Sequence, residues 1–478
     1  MSSLQSAEKR YITDAWQQAQ KSYPLKSPID GTVIAEVADC GPQEAIEAAA
    51  AGWRAFEGWK GTTAFERSEI LMAWHDLITG HAEELAKTMT LEMGKPIKEA
   101  RTEISYAAGF VKWYAEEAKR VYGDVFPSHL PQKRLMAIKQ PVGPVFAITP
   151  WNFPAAMVTR KAGPALAAGC SFILKPAEQT PLSALYLADL WRQAGGPEGT
   201  LQVLPTRDPV PLSDTLLADP QIRKLTFTGS TEVGRLLYKK ASETVKKISL
   251  ELGGHAPFLI FDDADLDLAV REVVACKYRN AGQTCVCTNR IYVHSSVLEA
   301  FTDRYIRATE ALRVGDPLRD DTDIGPLVDE QGLTKVQQHI QDAVAKGASL
   351  KTGGRSLEGL YFEPTVLTDI TSEMKIMQEE TFGPVAPIIA FDDEAEVIGK
   401  ANDTQYGLAA YLYTNDLSRA FRVSEALEYG IVGVNDGVPA VPYAPFGGVK
   451  QSGLGREGGP WGIEEYLEIK YLSMTMPR

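Results

Sequence analysis

An alternation of apolar, strand-like runs with helical stretches between residues 143 and 261 constrains the fold of this chain more than any other feature. The apolar runs occupy 145–149, 171–174, 223–228 and 257–261, and the helical stretches between them occupy 155–168, 181–194 and 231–243. Strands and helices that alternate in this way form a parallel sheet covered by helices, and ligands bind at the carboxyl ends of its strands. The pattern therefore predicts an α/β fold with a ligand site at that edge of the sheet.

The flanking segments predict further elements around this sheet. Two short strands about a turn at Asp30-Gly31 are expected over residues 25–38, helices are expected from there to about residue 120, and a second α/β unit is expected from about 256 to 450. In the helical part, apolar residues recur at three- and four-residue spacing with charged residues on other faces, which indicates packing and no chemistry. The apolar residues are Ile104, Ala108, Val111 and Ala115, and the charged ones are Glu103, Lys112 and Glu116.

Length, charge and cysteine usage limit the class of protein. At 478 residues the chain exceeds one ordinary core, which predicts two or three domains. The net charge of -13 argues against a nucleic-acid partner or an anionic membrane surface. Five cysteines without a framework spacing, and an N-terminal stretch without a secretory apolar run, predict a cytoplasmic protein. Six scattered histidines show no metal-binding spacing, so we expect no catalytic metal.

The best nucleophile candidate is Cys285, in the segment Asn-Ala-Gly-Gln-Thr-Cys-Val-Cys at 280–287. A cysteine attacks carbon well only as a thiolate, and it becomes one near positive charge or a helix N-terminus. Gly282 allows a backbone bend, and the small polar neighbours leave the sulfur approachable. Most free cysteines are small core hydrophobes, so this segment alone does not identify a nucleophile.

Two other stretches supply partners for such a nucleophile. Glu251 precedes the paired glycines Gly253 and Gly254, which would let a carboxylate swing or a ligand approach the backbone. Asn152 lies in a rigid, proline-flanked turn at 149–154, directly after an apolar run. A thiolate, a carboxylate base and an amide donor are the minimum set for covalent chemistry at a carbonyl.

Seven short motifs in a fixed order extend this pattern over the chain: TPWNFP, KPAE, FTGST, ELGG, GQTC, EETFGPV and PFGG. From about residue 25 to the end, the chain resembles the aldehyde dehydrogenase superfamily. The resemblance implies NAD(P)-dependent oxidation of an aldehyde to a carboxylic acid. It also implies a Rossmann-like cofactor domain (1–120 and 141–253), an α/β catalytic domain (254–453) and a small β oligomerisation arm (121–140 and 454–478).

The arm segments alternate in polarity, as extended edge strands do. In the family such arms cross between subunits, so the resemblance implies a homodimer or homotetramer. An intramolecular edge hairpin is the alternative.

The resemblance places the cofactor at several turns. The turn 227–234 is not GxGxxG, but its glycines would still expose amides and a helix dipole to a phosphate, with Ser230 in direct contact. Glu178 would accept hydrogen bonds from the adenosine ribose and repel a 2′-phosphate, so NAD is expected to be preferred, while Lys175 keeps NADP possible. Glu380 and Phe382 would hold the nicotinamide ribose and ring. The implied cofactor residues are Thr149, Pro150, Trp151, Lys175, Glu178, Gly229, Ser230, Gly234, Leu252, Glu380 and Phe382.

The expected chemistry follows from charge. The Cys285 thiolate attacks the aldehyde carbon, and the Asn152 side chain and the Cys285 backbone N–H stabilise the oxyanion. Hydride transfer then leaves a thioester, and Glu251 deprotonates the water that hydrolyses it. Two rivals remain: a CoA-acylating enzyme, and a catalytically silent binding protein. Cys287 is a further candidate, either for a redox switch with Cys285 or for a structural thiol.

The substrate class depends on two arginines. Arg160 and Arg279 match the arginines that grip the distal carboxylate in succinate-semialdehyde dehydrogenases, and Phe446 is assigned to the same site. Surface salt bridging is the alternative for any arginine. The loop 438–444 lacks a serine that those enzymes place nearby. A different anionic aldehyde, such as 2-oxoglutarate semialdehyde or a phosphonate-bearing aldehyde, therefore also fits.

Overall fold

Helices and strands alternate along most of the chain in the computed structural model, which describes residues 21–476 and the backbones of 9–11 and 16–18. The first part contains β1 (Lys9–Tyr11), β2 (Trp16–Gln18), β3 (Ser22–Lys26), β4 (Val33–Ala38), α1 (Pro42–Trp59), α2 (Ala64–Gly80), α3 (Ala82–Met93) and α4 (Ile97–Glu117). The middle contains β5 (Asp124–Phe126), β6 (Lys133–Pro141), β7 (Val145–Ile148), α5 (Ala156–Ala168), β8 (Phe172–Lys175), α6 (Pro181–Gln193), β9 (Leu201–Val203), α7 (Pro209–Ala218), β10 (Lys224–Thr228), α8 (Thr231–Ser242) and β11 (Lys247–Glu251).

The remaining part contains a second alternating unit over residues 256–434, as expected, and after it two strands and a short helix. Its elements are β12 (Ala256–Ile260), α9 (Leu266–Tyr278), β13 (Thr288–His294), α10 (Leu298–Glu310), α11 (Glu330–Ala345), β14 (Ser349–Thr352), β15 (Thr365–Thr368), β16 (Val385–Phe391), α12 (Glu394–Asn402), β17 (Ala409–Tyr413), α13 (Leu417–Ala426), β18 (Ile431–Val434), β19 (Gly453–Leu454), α14 (Gly459–Glu464) and β20 (Leu467–Thr475).

The first sheet confirms the predicted parallel arrangement. Its strand order over the described residues is β19-β11-β10-β7-β8-β9-β1-β2, and the five strands from β11 to β9 are mutually parallel. Strand β7 is buried on both faces: Val145 and Ala147 pack in one apolar cluster, and Phe146 and Ile148 pack in another. Strands buried in this way read as continuous apolar runs, which is why the sequence revealed them.

The second sheet has the order β14-β15-β16-β13-β12-β17-β18 and is parallel except for β14. The run at 257–261, which the alternation had joined to the first sheet, forms β12 of this second sheet. The chain passes from β11 to β12 through residues 252–255, so the paired glycines connect the carboxyl end of one sheet to the other. The carboxyl end of β11, at the edge of the sheet where a ligand site is predicted, therefore leads directly into the second sheet.

The helical region contains one charged residue with an unexpected environment. Ile104, Ala108, Val111 and Ala115 are buried, as expected, and Lys112 is exposed. Glu103, however, is only 3% exposed. This carboxylate faces the interior of the protein, where it contacts the site described below.

The extended segments on either side of the first sheet form a third, antiparallel sheet in the order β20-β6-β5. Strand β6 pairs with β20 from Lys133 opposite Thr475 to Pro141 opposite Leu467. The two arm segments therefore pair with each other within one chain. Strands β3 and β4 form the expected hairpin, with Gly31 in the left-handed region at φ 76°. Within residues 21–476, we find no helix that is both long and apolar enough to cross a membrane.

Candidate active site

The loop that carries Cys285 has an unusual backbone. Asn280, Ala281 and Gly282 are consecutive left-handed residues, with φ of 54°, 55° and 75°. At Gly282 a side chain would collide with the Gly383 carbonyl, 2.2 Å from the position of Cβ, so the expected glycine bend is confirmed. The two non-glycine residues are strained, at a cost on the order of 1–2 kcal/mol each. The Asn280 N–H donates to the Glu99 carboxylate on α4 at 2.8 Å, which helps to hold the loop in this conformation.

Cys285 itself is partly exposed, whereas Cys40, Cys170, Cys276 and Cys287 are buried. Its carbonyl oxygen packs against Gly254, where a Cβ would lie 2.4 Å away. The glycines after Glu251 thus serve the approach of the nucleophile loop itself. Within residues 21–476 no acceptor binds the Cys285 backbone N–H, which leaves this donor available for an oxyanion.

The Cys285 thiol is not a preformed thiolate. Burial, together with the nearby carboxylates Glu380 and Glu251, raises its pKa to about 12, against the opposing influence of Arg160 and Arg279. The expected positive charge is present, but desolvation outweighs it.

The raised pKa predicts the pH dependence of alkylation. We expect the rate of Cys285 modification by iodoacetamide to rise about tenfold per pH unit through the neutral and mildly alkaline range, without a plateau, because only the thiolate reacts. Mass spectrometry of the alkylated peptide measures this rate, and Cys285→Ser supplies the background. A plateau near neutral pH would contradict the expectation.

Asn152 is buried beside this loop, at the end of β7. Its side-chain Nδ2 donates one hydrogen bond to the Gln283 carbonyl at 3.1 Å. The second Nδ2 hydrogen is left for a substrate oxygen. The Asn152 carbonyl accepts hydrogen bonds from Lys95 Nζ at 2.8 Å and from Asn280 Nδ2 at 3.1 Å. The turn that carries Asn152 is therefore tied to the nucleophile loop and to the segment before α4.

Glu251 ends β11 and is 2% exposed. Neither carboxylate oxygen has a hydrogen-bond partner among the described residues. Burial and the neighbouring Glu457 carboxylate raise its pKa well above the ordinary value, against the opposing influence of Arg160 and Lys161. An acidic group of raised pKa without protein partners is suited to proton transfer with water.

Cys285 opens onto a cavity of about 480 Å³ between α4, α5 and α9. Both predicted arginines and Phe446 lie in its wall. The lining residues with polar or charged side chains are Lys95, Lys98, Glu99, Thr102, Glu103, Tyr106, Arg160, Tyr278, Arg279, Thr284, Cys285 and Asp323. Lys95 is paired with Glu103, and Lys98 is paired with Asp323 at 2.5 Å, so these cations are already neutralised within the protein.

Arg160 is 2% exposed and forms an ion pair with the buried Glu457 carboxylate, which also pairs with Lys161. The guanidinium stacks on Phe446, 4.2 Å from the ring centroid. Glu457 and Phe446 exchange two backbone hydrogen bonds, at 2.7 and 2.8 Å, so the ring and the carboxylate are fixed together around Arg160.

Arg279 differs because it forms no ion pair within residues 21–476, and its buried Nε has no hydrogen-bond partner there. Its guanidinium lies 5.5 Å from the centroid of Phe153. Arg279 is half-buried, so its positive charge lies in the cavity wall without an ion pair and is available to an anionic ligand there. In the loop 438–444, the side chains that reach the cavity are the apolar Val438 and Ala440.

The turn after β10 has the geometry of a phosphate site. Ser230 is the N-cap of α8, and its Oγ accepts the Val233 N–H at 3.3 Å. At Gly229 a Cβ would lie 2.4 Å from the Phe227 ring, and at Gly234 a Cβ would lie 2.4 Å from the Leu252 side chain. Because Gly229 and Gly234 have no side chains, α8 begins directly after the turn that follows β10 and packs closely against Leu252. The N-terminal amides and the positive end of the helix dipole then point outward.

Of the other predicted cofactor residues, Glu380 contacts the loop 252–254, and Phe382 contacts Trp151. Glu380 Oε1 accepts the Gly254 N–H at 3.2 Å, and burial raises the Glu380 pKa to about 7. Phe382, left-handed at φ 54°, meets the Trp151 ring edge-on at 5.4 Å. Thr149 N–H donates to the Lys175 carbonyl at 3.2 Å, so the turn that contains Pro150 and Trp151 lies beside the end of β8.

The end of β8 carries Lys175 and, three residues later, Glu178. Lys175 is buried and its Nζ donates to Glu178 Oε2 at 3.2 Å. The Glu178 side chain is 44% exposed, so its carboxylate can also receive groups from outside the protein.

Comparison with known proteins agrees with this geometry. The sequence profile described as the aldehyde dehydrogenase family matches residues 16–472. The chain belongs to this family. It is 52% identical to glutarate-semialdehyde dehydrogenase of Pseudomonas putida over 98% of both chains. It is also 52% identical to succinate-semialdehyde dehydrogenase (NADP+) of Escherichia coli over 97% of both chains.

A solved structure shares the fold of this aldehyde dehydrogenase family member. The crystal structure of an aldehyde dehydrogenase from Brucella melitensis biovar abortus superposes with a TM-score of 0.98 at 53% identity, over 100% of this chain and 99% of that one. The predicted fold class is therefore confirmed.

The residues present fit a dinucleotide. The Escherichia coli relative is named for NADP+, and a solved structure of betaine aldehyde dehydrogenase from Staphylococcus aureus contains NAD+. The hydroxyl of Thr228, at the carboxyl end of β10, is buried without a partner among the described residues. It lies directly before the Gly229-Ser230 turn, where it can contact a phosphate. Such an unpaired hydroxyl beside a helix N-terminus is consistent with a bound phosphate group.

Sequence reasoning missed the part of the site that comes from the helical region. Lys95, Glu99, Glu103 and Tyr106 all line the cavity, although this region was expected only to pack. Their spacing of four, four and three residues places the last three on one face of α4. In the sequence, this row of polar residues beside the apolar face of the same helix was the signal that could have revealed this part of the site.

Proposed function

We propose that this protein oxidises a short-chain aldehyde with a distal carboxylate, such as succinate semialdehyde, to the acid with NAD(P)+ through a thioester on Cys285. The observation that carries the proposal is the shared cavity, whose wall contains Cys285, a half-buried Arg279 without an ion pair among the described residues, and Arg160 stacked on Phe446. The relatives named for succinate and glutarate semialdehydes support the same chemistry, since both of those aldehydes end in a carboxylate.

In the proposed reaction, Cys285 loses its proton to solvent water, and the resulting thiolate attacks the aldehyde carbon. The free hydrogen of Asn152 Nδ2 and the Cys285 backbone N–H stabilise the oxygen that becomes negative. Both donors are fixed before the reaction, because Asn152 is hydrogen-bonded to Gln283 and the Cys285 peptide packs on Gly254. When bound, the nicotinamide accepts the hydride that leaves the substrate carbon.

Glu251 is then proposed to take a proton from the water that hydrolyses the thioester. Its two unpartnered oxygens support this role over a structural ion pair. They also favour hydrolysis over transfer to CoA, because a general base is needed to activate water. Reduction of NAD(P)+ in the absence of CoA tests this distinction, and a requirement for CoA would favour the acylating alternative.

The substrate class is tested with an anionic and a neutral aldehyde of equal length. For Arg279→Ala and Arg160→Ala, we expect kcat/KM for succinate semialdehyde to fall at least about tenfold, because hydrogen bonds to a charged group contribute about 1.5–3 kcal/mol. Butanal, which lacks the carboxylate, should be oxidised with little change in kcat/KM by the Arg279 variant. Initial rates of NAD(P)H formation measure both.

The matched control is Arg271→Ala. Arg271 lies on α9, the helix that ends directly before Arg279, but it is exposed and pairs with Glu272. It should behave as the wild type on both aldehydes. Equal losses on the two aldehydes in the Arg279 variant would contradict the proposed carboxylate recognition. The proposal covers substrates of four and five carbons. The same assay with 2-oxoglutarate semialdehyde or a phosphonate-bearing aldehyde as the substrate tests those two alternatives.

We also propose that NAD is preferred over NADP, although the Escherichia coli relative is named for NADP+. The half-exposed Glu178 carboxylate, held by Lys175, supports this preference. In Glu178→Ala we expect the ratio of kcat/KM for NADP to that for NAD to rise at least about tenfold, since a like charge beside the 2′-phosphate costs several kcal/mol.

Glu243→Ala is the control for this change, because Glu243 is an exposed glutamate at the far end of α8. It should leave the ratio unchanged. If Glu178→Ala also left the ratio unchanged, Glu178 would not set the cofactor preference. The cytoplasmic location, the domain boundaries and the homo-oligomer built through the arm sheet remain our predictions.

A further inference from the structure

The helix that follows Asn152 has no cap of its own. Helix α5 begins at Ala156, and its N-cap Ala155 offers no side-chain hydrogen bond. The first amides of a helix need acceptors, and here Glu103 of α4 supplies them. Its Oε1 accepts the Ala155 N–H at 2.9 Å and the Ala156 N–H at 3.1 Å. The start of α5 is therefore fixed by a carboxylate that lies about fifty residues earlier in the chain.

The same carboxylate is paired with Lys95, and this lysine reaches the preceding residues of the turn. Lys95 is 1% exposed, its ammonium contacts Glu103, and it donates to the Asn152 carbonyl at 2.8 Å. It also lies 3.8 Å from the centroid of the Phe153 ring. One ion pair thus contacts four residues of this turn, which are Asn152, Phe153, Ala155 and Ala156.

A buried ion pair is weak evidence for stability, because desolvating two charges costs about as much as their attraction returns. Its contacts here point to another role. The Asn152 side chain makes one hydrogen bond, to Gln283, so its direction depends on where the backbone places it. A shift of about 1 Å in such a group can reduce a rate on the order of 100-fold.

We infer that Lys95 and Glu103 are positioning residues, which hold the Asn152 amide where it can stabilise the oxyanion formed on Cys285 attack. The inference rests on the proposed function only for the identity of the nucleophile and the oxyanion donor. It assigns a task to the buried Lys95–Glu103 ion pair in the cavity wall.

The test uses hydrolysis of p-nitrophenyl acetate, because attack by Cys285 on this ester forms an oxyanion without any nucleotide. For Lys95→Met, we expect kcat to fall about 10- to 100-fold with little change in KM. Asn152→Ala alone should lower kcat about 100- to 1000-fold. If Lys95 acts through Asn152, the Lys95→Met/Asn152→Ala double variant should be no slower than Asn152→Ala.

Structural effects are separated by a matched buried lysine. Lys224→Met removes a fully buried lysine paired with Glu465 at 3.4 Å, at the opposite end of β10 from the dinucleotide turn. It should lower the melting temperature but keep kcat within about a factor of two, and combine additively with Asn152→Ala. Glu103→Gln, which keeps an acceptor for the α5 amides but loses the charge, gives a second measurement if Lys95→Met does not fold.

Losses that multiply in the Lys95→Met/Asn152→Ala variant would overturn the inference, as would an unchanged kcat in both Lys95→Met and Glu103→Gln. These results are distinct from a failure of the proposed function. In that case the wild type would hydrolyse the ester but reduce no NAD(P)+ with any semialdehyde.

Discussion

Cys285→Ser should lower kcat/KM for aldehyde oxidation by at least about 1000-fold. A serine hydroxyl needs a neighbouring base to become a nucleophile, whereas a thiol is far more acidic and its anion is intrinsically reactive. The replacement preserves the shape of the loop, because Cys285 makes no side-chain hydrogen bond within residues 21–476 that serine would lose. Initial rates of NAD(P)H formation with succinate semialdehyde measure the loss, and NAD(P)+ binding should be retained.

The natural control for this change is Cys287→Ala, two residues away. Cys287 is 1% exposed, and its Sγ contacts the carbonyls of Lys277 and Thr288 at 3.5 Å each. These contacts favour a structural thiol, so Cys287→Ala should keep most of the activity. Oxidation of succinate semialdehyde by Cys285→Ser at the wild-type rate would contradict the proposed mechanism. The redox switch stays a prediction, and it fails if Cys287→Ala is as sensitive to peroxide as the wild type.

Glu251→Gln should separate the two halves of the reaction. Acylation and reduction of the nucleotide need no base at this position, so a burst of NAD(P)H close to one equivalent per active site should remain. The steady rate that follows should be at least about 100-fold slower than in the wild type, because general base catalysis contributes about 100- to 10,000-fold. Stopped-flow absorbance of NAD(P)H measures both phases.

The pH profile gives an independent measurement. The pKa of Glu251 is raised well above its ordinary value by burial and by Glu457. The base must be a carboxylate to accept a proton, so the wild-type steady rate should decline as the pH falls through this raised pKa, at a higher pH than an exposed glutamate would allow. This acid limb should be absent from the residual rate of Glu251→Gln.

Glu299→Gln, an exposed carboxylate at the start of α10, is the control and should show normal turnover. Loss of the burst in Glu251→Gln would instead assign Glu251 to a step before hydride transfer. A normal steady rate would remove it from the mechanism.

The elements that were predicted well are those whose signal is local. Strands β7 and β8 are buried on both faces, so each appears in the sequence as a short, mostly apolar run, and β10 is equally buried but alternates apolar residues with threonine. The bend at Gly282 and the turn at Gly229-Ser230 were also predictable, because a left-handed residue and a helix N-cap each leave a mark on one or two positions.

The errors arose where a residue's surroundings come from distant parts of the chain. Glu103 was placed off the apolar face of its helix and given no chemistry, yet it lines the cavity and is buried, because Lys95 and two amides of α5 satisfy its carboxylate. The Cys285 thiol was expected to be acidified by positive charge. Two arginines do lie near it, but burial and the carboxylates Glu251 and Glu380 determine the direction of its pKa.

By itself, the sequence determined the α/β architecture, the family resemblance and the residues proposed to carry the chemistry, because patterns of polarity and short motifs depend on neighbouring positions. Only the tertiary structure decided which charges are paired and which are not. Arg160 is held by Glu457 and Lys95 by Glu103, while Arg279 is without an ion pair in residues 21–476. These pairings join residues far apart in the chain, and electrostatic interactions depend on distance and burial in the folded protein rather than on spacing in the sequence.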